Sequence, residues 1–261
     1  MLELNGISKE YRSGLMKRSC LRVLDDISLK IEKGRIIGLT GESGSGKTTI
    51  ARIALRLTDP SSGSIVLDGK DITRVPMKKM RPLRRHMQIV FQHPEGALDP
   101  EFRLRESIIE ALLRSGVPRT AIKERTEEAC AEVKLPLELL DRYPSQVSGG
   151  EIQRAALARV LSFHPDYLFL DEPTSMLDVS VQAFILNLIK DKVRQDGMGV
   201  VLITHDVDII RCMCSEVTVL SKGKNADSGP VEKILATGGK QYTQELVKTW
   251  DAQKDLLAAL D

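Results

Sequence analysis

The sequence has 261 residues, 42% of them hydrophobic, and a formal net charge of +2. That is enough chain to bury the core of one large domain or two small ones, it is a folded rather than a disordered composition, and its near-neutral charge argues against a dedicated nucleic-acid binder. The N-terminal stretch MLELNGISKEYRSGLMKR lacks the apolar core of a signal peptide, and no window approaches the roughly 20 consecutive apolar residues that span a bilayer.

In chain order, the first third reads as strands. Ile27 to Ile31 alternates apolar and polar residues, as in a sheet wet on one face. Arg35 to Thr40 is nearly continuous in apolar character, which suits a strand buried on both faces. Thr49 to Leu57 reads as a helix, and Ser64 to Gly69 as a short strand ending in a turn signal. Ser13 to Cys20, with Lys17 and Arg18, reads as a solvated loop. From about Ser107 to Ser162 the character is helical, with Ser107 to Arg114 and Ala121 to Val133 rich in helix formers and breaks at Pro118 and Pro136. Tyr167 to Leu170 and Val200 to Ile203 are buried-strand candidates, separated by an amphipathic helix from Val181 to Val193. Strand, helix, strand implies a right-handed crossover and a parallel sheet. Lys224 to Gly229 is polar for a strand, so a hairpin there is expected to be irregular. The tail after Pro230 reads as short helices. The four cysteines, Cys20, Cys130, Cys212 and Cys214, lack zinc-ligand spacing and read as reduced thiols of a cytosolic protein.

Two motifs carry chemistry. Gly41-Glu-Ser-Gly-Ser-Gly46-Lys47-Thr48 matches G-x-x-x-x-G-K-[ST] between a predicted buried strand and a predicted helix. Glycines let the backbone curl so that N–H groups converge on phosphate oxygens, and the helix N-terminus adds positive potential. Lys47 is placed to reach the β- and γ-phosphates and Thr48 to ligate Mg²⁺. The second motif is Asp171-Glu172 at the carboxyl end of an apolar strand, where α/β sheets place ligands. Asp171 suits Mg²⁺ and Glu172 suits polarising the attacking water.

Ser148-Gly149-Gly150-Glu151-Ile152-Gln153-Arg154 resembles the LSGGQ signature of the ABC ATPase superfamily, with Val147 for the common leucine and Glu151 for the common glutamine. Ile152, Ala156 and Val160 share one face of the helix expected to follow. Further matches keep the family's order along the chain. Tyr11 resembles the adenine-stacking aromatic, Gln92 the glutamine that contacts Mg²⁺, Ser175-Met-Leu-Asp178 the aspartate loop, and His205 the switch histidine. The resemblance implies an α/β fold: a P-loop NTPase core of ABC ATPase type with an antiparallel β-layer and a helical subdomain. It implies one such domain over residues 1–261, with the helical subdomain at about 93–162 and a C-terminal helical tail at about 230–261.

The implied cofactors are ATP and Mg²⁺. Nucleotide would be held by Tyr11, by Gly41, Glu42, Ser43, Gly44, Ser45, Gly46, Lys47, Thr48 and Thr49, by Gln92, and by Ser148, Gly149, Gly150 and Asp178. Thr48, Gln92 and Asp171 would hold the metal; Glu172, His205 and Lys47 would be catalytic. The implied partners are a second ATPase subunit, identical or related, whose signature closes on the γ-phosphate, two membrane-spanning permeases, and indirectly a solute-binding protein, with no nucleic acid. The implied location is the cytoplasmic face of the cell membrane, as a peripheral subunit. His93 to Pro100 and Lys240 to Leu246 resemble degenerate forms of segments in the peptide/nickel importer branch, which also includes metal-chelate importers. Competing readings are a soluble ABC ATPase of DNA repair or the ribosome, an export motor, and a regulatory subunit that binds ATP without turnover. No sustained heptads separate the phosphate loop from the signature, and only one ATPase unit is present, which disfavours the first.

Overall fold

A computed structural model describes residues 1–13, 19–174, 177–235, 243–244 and 247. In chain order the elements are β1 (Leu2–Ser13), β2 (Ser19–Ile31), β3 (Ile36–Gly41), α1 (Lys47–Ala54), β4 (Ser62–Leu67), β5 (Lys70–Asp71), α2 (Met77–Leu83), β6 (Met87–Val90), α3 (Leu104–Ser115), α4 (Ile122–Glu132), α5 (Gly149–Leu161), β7 (Tyr167–Asp171), α6 (Val179–Asp196), β8 (Gly199–Ile203), α7 (Val207–Met213), β9 (Glu216–Ser221), β10 (Lys224–Pro230) and α8 (Val231–Leu235). They form two compact units, one from the described residues of 1–77 and 199–261, the other from 78–198.

The first unit has two strand layers. β2, β1, β4 and β5 form an antiparallel sheet in that order. It buries one side, with Leu2, Leu4, Ile7, Leu24, Ile27 and Ile65 fully covered. In the other layer β3 lies between β8 and β9 and pairs in parallel with both, which is why all its residues are buried. The apolar run from Arg35 predicted this: a strand with neighbours on both sides and layers on both faces has no wet side. β10 pairs antiparallel with β9, and its register shifts between Asn225 and Asp227, the irregularity expected of that polar stretch.

β1 and β2 extend further than the sequence pattern indicates. Ser13 pairs with Ser19, so the stretch read as a loop from Ser13 to Cys20 narrows to residues 14–18, with Lys17 and Arg18 outside the described residues. These strand ends have no apolar alternation. Ion pairs support them instead: the Arg22 guanidinium meets Glu10 across the strands at 2.9 Å and Asp25 along β2 at 3.0 Å.

In the second unit β6 and β7 pair in parallel, from Met87 opposite Tyr167 to Val90 opposite Leu170. Tyr167, Leu168, Phe169 and Leu170 are wholly buried. α3, α4 and α5 pack together, α3 burying Leu104, Ile108, Ala111 and Leu112 at helical spacing. α4 lies between Pro118 and Pro136, within a residue of its predicted ends at each terminus. α3 starts earlier than Ser107, because Glu106 reaches back to accept a hydrogen bond from Arg103 N at 2.7 Å. α2 was not anticipated: Pro82 lies in its last turn and only Met80 is buried, so no periodicity marks it.

α8 opens the expected helical tail. Beyond it the tail, including the Lys240 to Leu246 segment, lies outside the described residues save Thr243, Gln244 and Val247. Among the described residues no helix is long and apolar enough to cross a membrane. All four cysteines are free; Cys20 and Cys212 are exposed, and burial pushes the Cys130 thiol up to about 11.

Candidate nucleotide site

In the first unit the phosphate loop joins the end of β3 to the start of α1. Gly41 has φ of 140° and Gly46 of 105°, a region closed to most side chains. Space is closed as well: a Cβ on Gly41 would lie 2.1 Å from Leu220 O, and one on Gly46 would lie 2.5 Å from Leu24 Cδ2. The loop thus packs its backbone where a side chain would otherwise sit. Glu42 O accepts from Ser45 N at 3.1 Å, and Gly46 O accepts from Ile50 N at 3.0 Å, so the curl runs directly into the helix. Lys47 Nζ donates to Gly41 O and Glu42 O, both at 2.9 Å, which holds its charge against the loop backbone. Ser45 Oγ is buried with no partner among the described residues. A buried hydroxyl without a partner is costly, and a glycine cradle with an ammonium beside it is the donor set that phosphate oxygens require, so these residues fit a nucleotide phosphate. Glu42, Ser43 and Gly44 are exposed, while Lys47, Thr48 and Thr49 are half-buried at the helix start.

Changing Gly46 to alanine is expected to lower thermal stability by about 1–3 kcal/mol, because the positive φ and the Leu24 contact both oppose a Cβ. Thermal denaturation, repeated with added nucleotide, checks this; an unchanged midpoint would mean the loop has room to shift.

Sheet register places His205. Leu39 of β3 is opposite Ile203 of β8, so Gly41 and His205, each two residues on, leave the sheet at the same end. His205 is exposed, and Asp206 after it caps α7 by accepting from Asp208 N at 2.8 Å and Ile209 N at 3.1 Å. Tyr11, on β1, is 44% exposed with Lys9 Nζ 4.9 Å from its ring centroid, leaving an aromatic ring open to solvent.

The second unit repeats the arrangement with other residues. Val90 of β6 is opposite Leu170 of β7, so Gln92 and Glu172 leave that pair at the same end. Asp171 is buried and ends β7, Gln92 is exposed, and Glu172 is half-buried with φ of 50°. A non-glycine residue in the left-handed region carries a backbone cost that the surrounding structure has to sustain, and such residues cluster at functional sites.

Ser148 caps α5. Its Oγ accepts from Glu151 N at 3.4 Å, while Glu151 accepts from Ser148 N at 2.7 Å and from Ser148 Oγ at 2.9 Å. Ser148 and Gly149 are exposed, so the positive end of a thirteen-residue helix faces solvent there. The expected inward face is present: Ile152, Ala156 and Val160 are all buried. Glu151 had no assigned role in the sequence reading, although Ser-x-x-Glu is the spacing of a capping box and signals one. Asp178 caps α6, accepting from Val181 N at 2.9 Å and Ser180 Oγ at 2.6 Å; Ser175 and Met176 of the same loop lie outside the described residues.

Hydrogen bonds from the Ser148 backbone and then its hydroxyl hold the Glu151 carboxyl below the ordinary glutamate range. A depressed folded-state pKa means the cap is fully supported above the ordinary glutamate value and fails as pH falls through the lowered one. Carboxyl NMR titration is expected to find Glu151 below the ordinary glutamate range, and Ser148→Ala to return it upward. An unshifted midpoint in the unsubstituted chain would contradict the cap.

Known proteins resemble this chain in sequence and fold. The ABC transporter family pattern matches residues 24–175, more than half the chain. A peptide import ATP-binding protein, so named, of Brucella ovis is 38% identical over 248 residues, covering 95% of this chain and 77% of that protein. The oligopeptide transport ATP-binding protein OppD of Mycobacterium tuberculosis is 36% identical over 252 residues, covering 95% of this chain and 41% of that protein. Among solved structures, the dimeric ATP-binding cassette MJ0796 in a post-hydrolysis state, bound to ADP and Pi, superposes with a TM-score of 0.81 at 27% identity, covering 88% of this chain and 99% of that one. CbiO1 from Clostridium perfringens, part of the ABC transporter complex cbiONQ, gives 0.76 at 26% identity, covering 99% and 97%. This chain belongs to the ABC transporter family, as an ATP-binding and ATP-hydrolysing subunit.

Proposed function

We propose that this subunit drives import of peptides, working with a second ATPase chain on the cytoplasmic side of two separate membrane permeases that a solute-binding protein supplies. On this reading residues 1–261 are one ATPase cassette, with a helical subdomain at about 93–162 and a C-terminal helical tail at about 230–261. When bound, Mg·ATP supplies the scissile γ-phosphoryl group and the metal charge that offsets its oxygens.

The chain's own residues do the rest. Backbone N–H groups of Gly41 to Thr48 cradle the phosphates. Lys47 exchanges its contacts with Gly41 O and Glu42 O for phosphate oxygens. Thr48, Gln92 and Asp171 would hold the metal, and Tyr11 would stack on the base. Glu172 orients and deprotonates the attacking water, with His205 as a donor to the γ-phosphate. Ser148, Gly149 and Gly150 of one chain, at the exposed start of α5, meet the nucleotide of the other, with Asp178 close by. The two chains would thereby close on a shared nucleotide and part after its hydrolysis.

The observation that carries peptide import is the 38% identity over 248 residues to a protein named for that task. The test is reconstitution in proteoliposomes with the permeases that co-purify with the chain. ATP-dependent accumulation of a labelled peptide is the expected result. Nickel uptake without peptide uptake, or outward movement of cargo, would overturn the cargo or the direction respectively.

A further inference from the structure

The second unit contains a cavity of about 800 Å³, built wholly from its own residues, that none of the chemistry above uses. Arg81 and Arg84–Arg85 line it from α2 and the turn into β6, Arg114 from α3, and Arg159 from α5. Among the described residues Glu110 is the acidic one in the lining, and it lies 2.7 Å from Arg114. Sequence proximity explains the first three arginines; only folding adds Arg114 and Arg159.

Helix ends offset part of this charge. Arg81, Arg114 and Arg159 occupy the last turns of α2, α3 and α5, where carbonyls favour cations. Arg84 makes an interaction of its own; among the other four arginines, after Glu110 and about half a negative charge from each helix end, a surplus of roughly one to two positive charges remains. Arg81, Arg85 and Arg114 are exposed while Arg84 and Arg159 are half-buried; burial pushes the Arg159 guanidinium below its ordinary value, Glu110 opposes that shift, and Arg114 adds to it. Like charges held together around one hollow are stabilised by an anion between them. Guanidinium forks match phosphate oxygens two at a time, and all the lining cations are arginine. Gln88 Nε2 donates to Arg84 O at 2.6 Å, which ties the turn carrying Arg84 to β6. Phe163 and Ala111 supply apolar wall, and the volume is that of a small-molecule pocket.

We infer that this arginine-lined cavity binds a phosphate-bearing anion of one to two charges. Two sources share that chemistry, a free phosphate compound and an anionic lipid headgroup. The full chain, with ADP in excess to occupy the glycine loop, is titrated with pyrophosphate by calorimetry. In parallel it is sedimented with phosphatidylglycerol vesicles and with phosphatidylcholine vesicles. Binding of pyrophosphate, or of the phosphatidylglycerol vesicles alone, is expected and names the source. The double substitution Arg81→Gln with Arg85→Gln should weaken it at least about tenfold, the loss of one to two charge-assisted hydrogen bonds, while ADP affinity stays unchanged as the control for folding. If the double variant loses ADP binding, Arg114→Gln alone carries the test. The inference fails if neither phosphate probe binds, if the arginine variants bind as well as the unsubstituted chain, or if a polyglutamate peptide binds these arginines more tightly than both probes, which would make the cavity a seat for an acidic protein segment.

Discussion

Glu172→Gln is expected to lower ATP hydrolysis by about 10²–10⁴-fold, the range a positioned general base contributes, while nucleotide affinity remains near that of the unsubstituted chain. Glutamine keeps the shape and loses the basic oxygen. It also tolerates the backbone as well as glutamate does, which matters because residue 172 sits at φ of 50°. With cleavage blocked, two chains joined through nucleotide should persist, so size-exclusion chromatography with Mg·ATP should shift toward a dimer. Steady-state phosphate release and chromatography separate the two consequences. An undiminished rate would remove Glu172 as the base and leave Asp171 and His205 as the titratable side chains at or just beyond the strand ends. A lost rate with lost binding would instead mean that the β7 end had been disturbed.

Much of this site was legible in the sequence because its chemistry is local. The glycine loop needs a buried strand before it and a helix after it, and both are marked by short-range pattern: the apolar run from Arg35 and the helix formers from Thr49. β7 is equally plain, since Tyr167 to Leu170 is apolar throughout and ends in two acids. Three things were not legible, for different physical reasons. The outer parts of β1 and β2 are held by pairing of charged side chains, Arg22 with Glu10 and Asp25, and charge pairing leaves no periodic trace. α2 has one buried residue and a proline, so neither amphipathicity nor propensity announces it. The left-handed conformation of Glu172 depends on what packs around it, since its own residue type disfavours it. Glu151 is the intermediate case. Its spacing from Ser148 signalled a cap, but reading it only as a departure from a motif concealed that its carboxylate holds the signature serine's backbone N–H and hydroxyl.

Lys47→Ala is expected to weaken nucleotide binding by about 10–100-fold, the loss of a charged hydrogen-bond donor to phosphate, and to reduce hydrolysis further than binding. The reason for the asymmetry is geometric. Lys47 Nζ spans Gly41 O and Glu42 O at 2.9 Å each, so it braces the first turn of the loop as well as carrying charge. Its loss should leave those carbonyls without their ammonium and loosen the curl that aims the N–H groups, and a loosened cradle penalises the transition state more than the ground state. Lys47→Arg separates the two roles, since it keeps the charge but cannot reproduce a compact ammonium between two carbonyls. Fluorescent-nucleotide titration and phosphate release on the three proteins form the comparison. If arginine restores binding but not hydrolysis, charge governs affinity and the brace governs turnover. If alanine binds nucleotide as tightly as the unsubstituted chain, the phosphates are held by the glycine backbone alone and Lys47 has no place in the site.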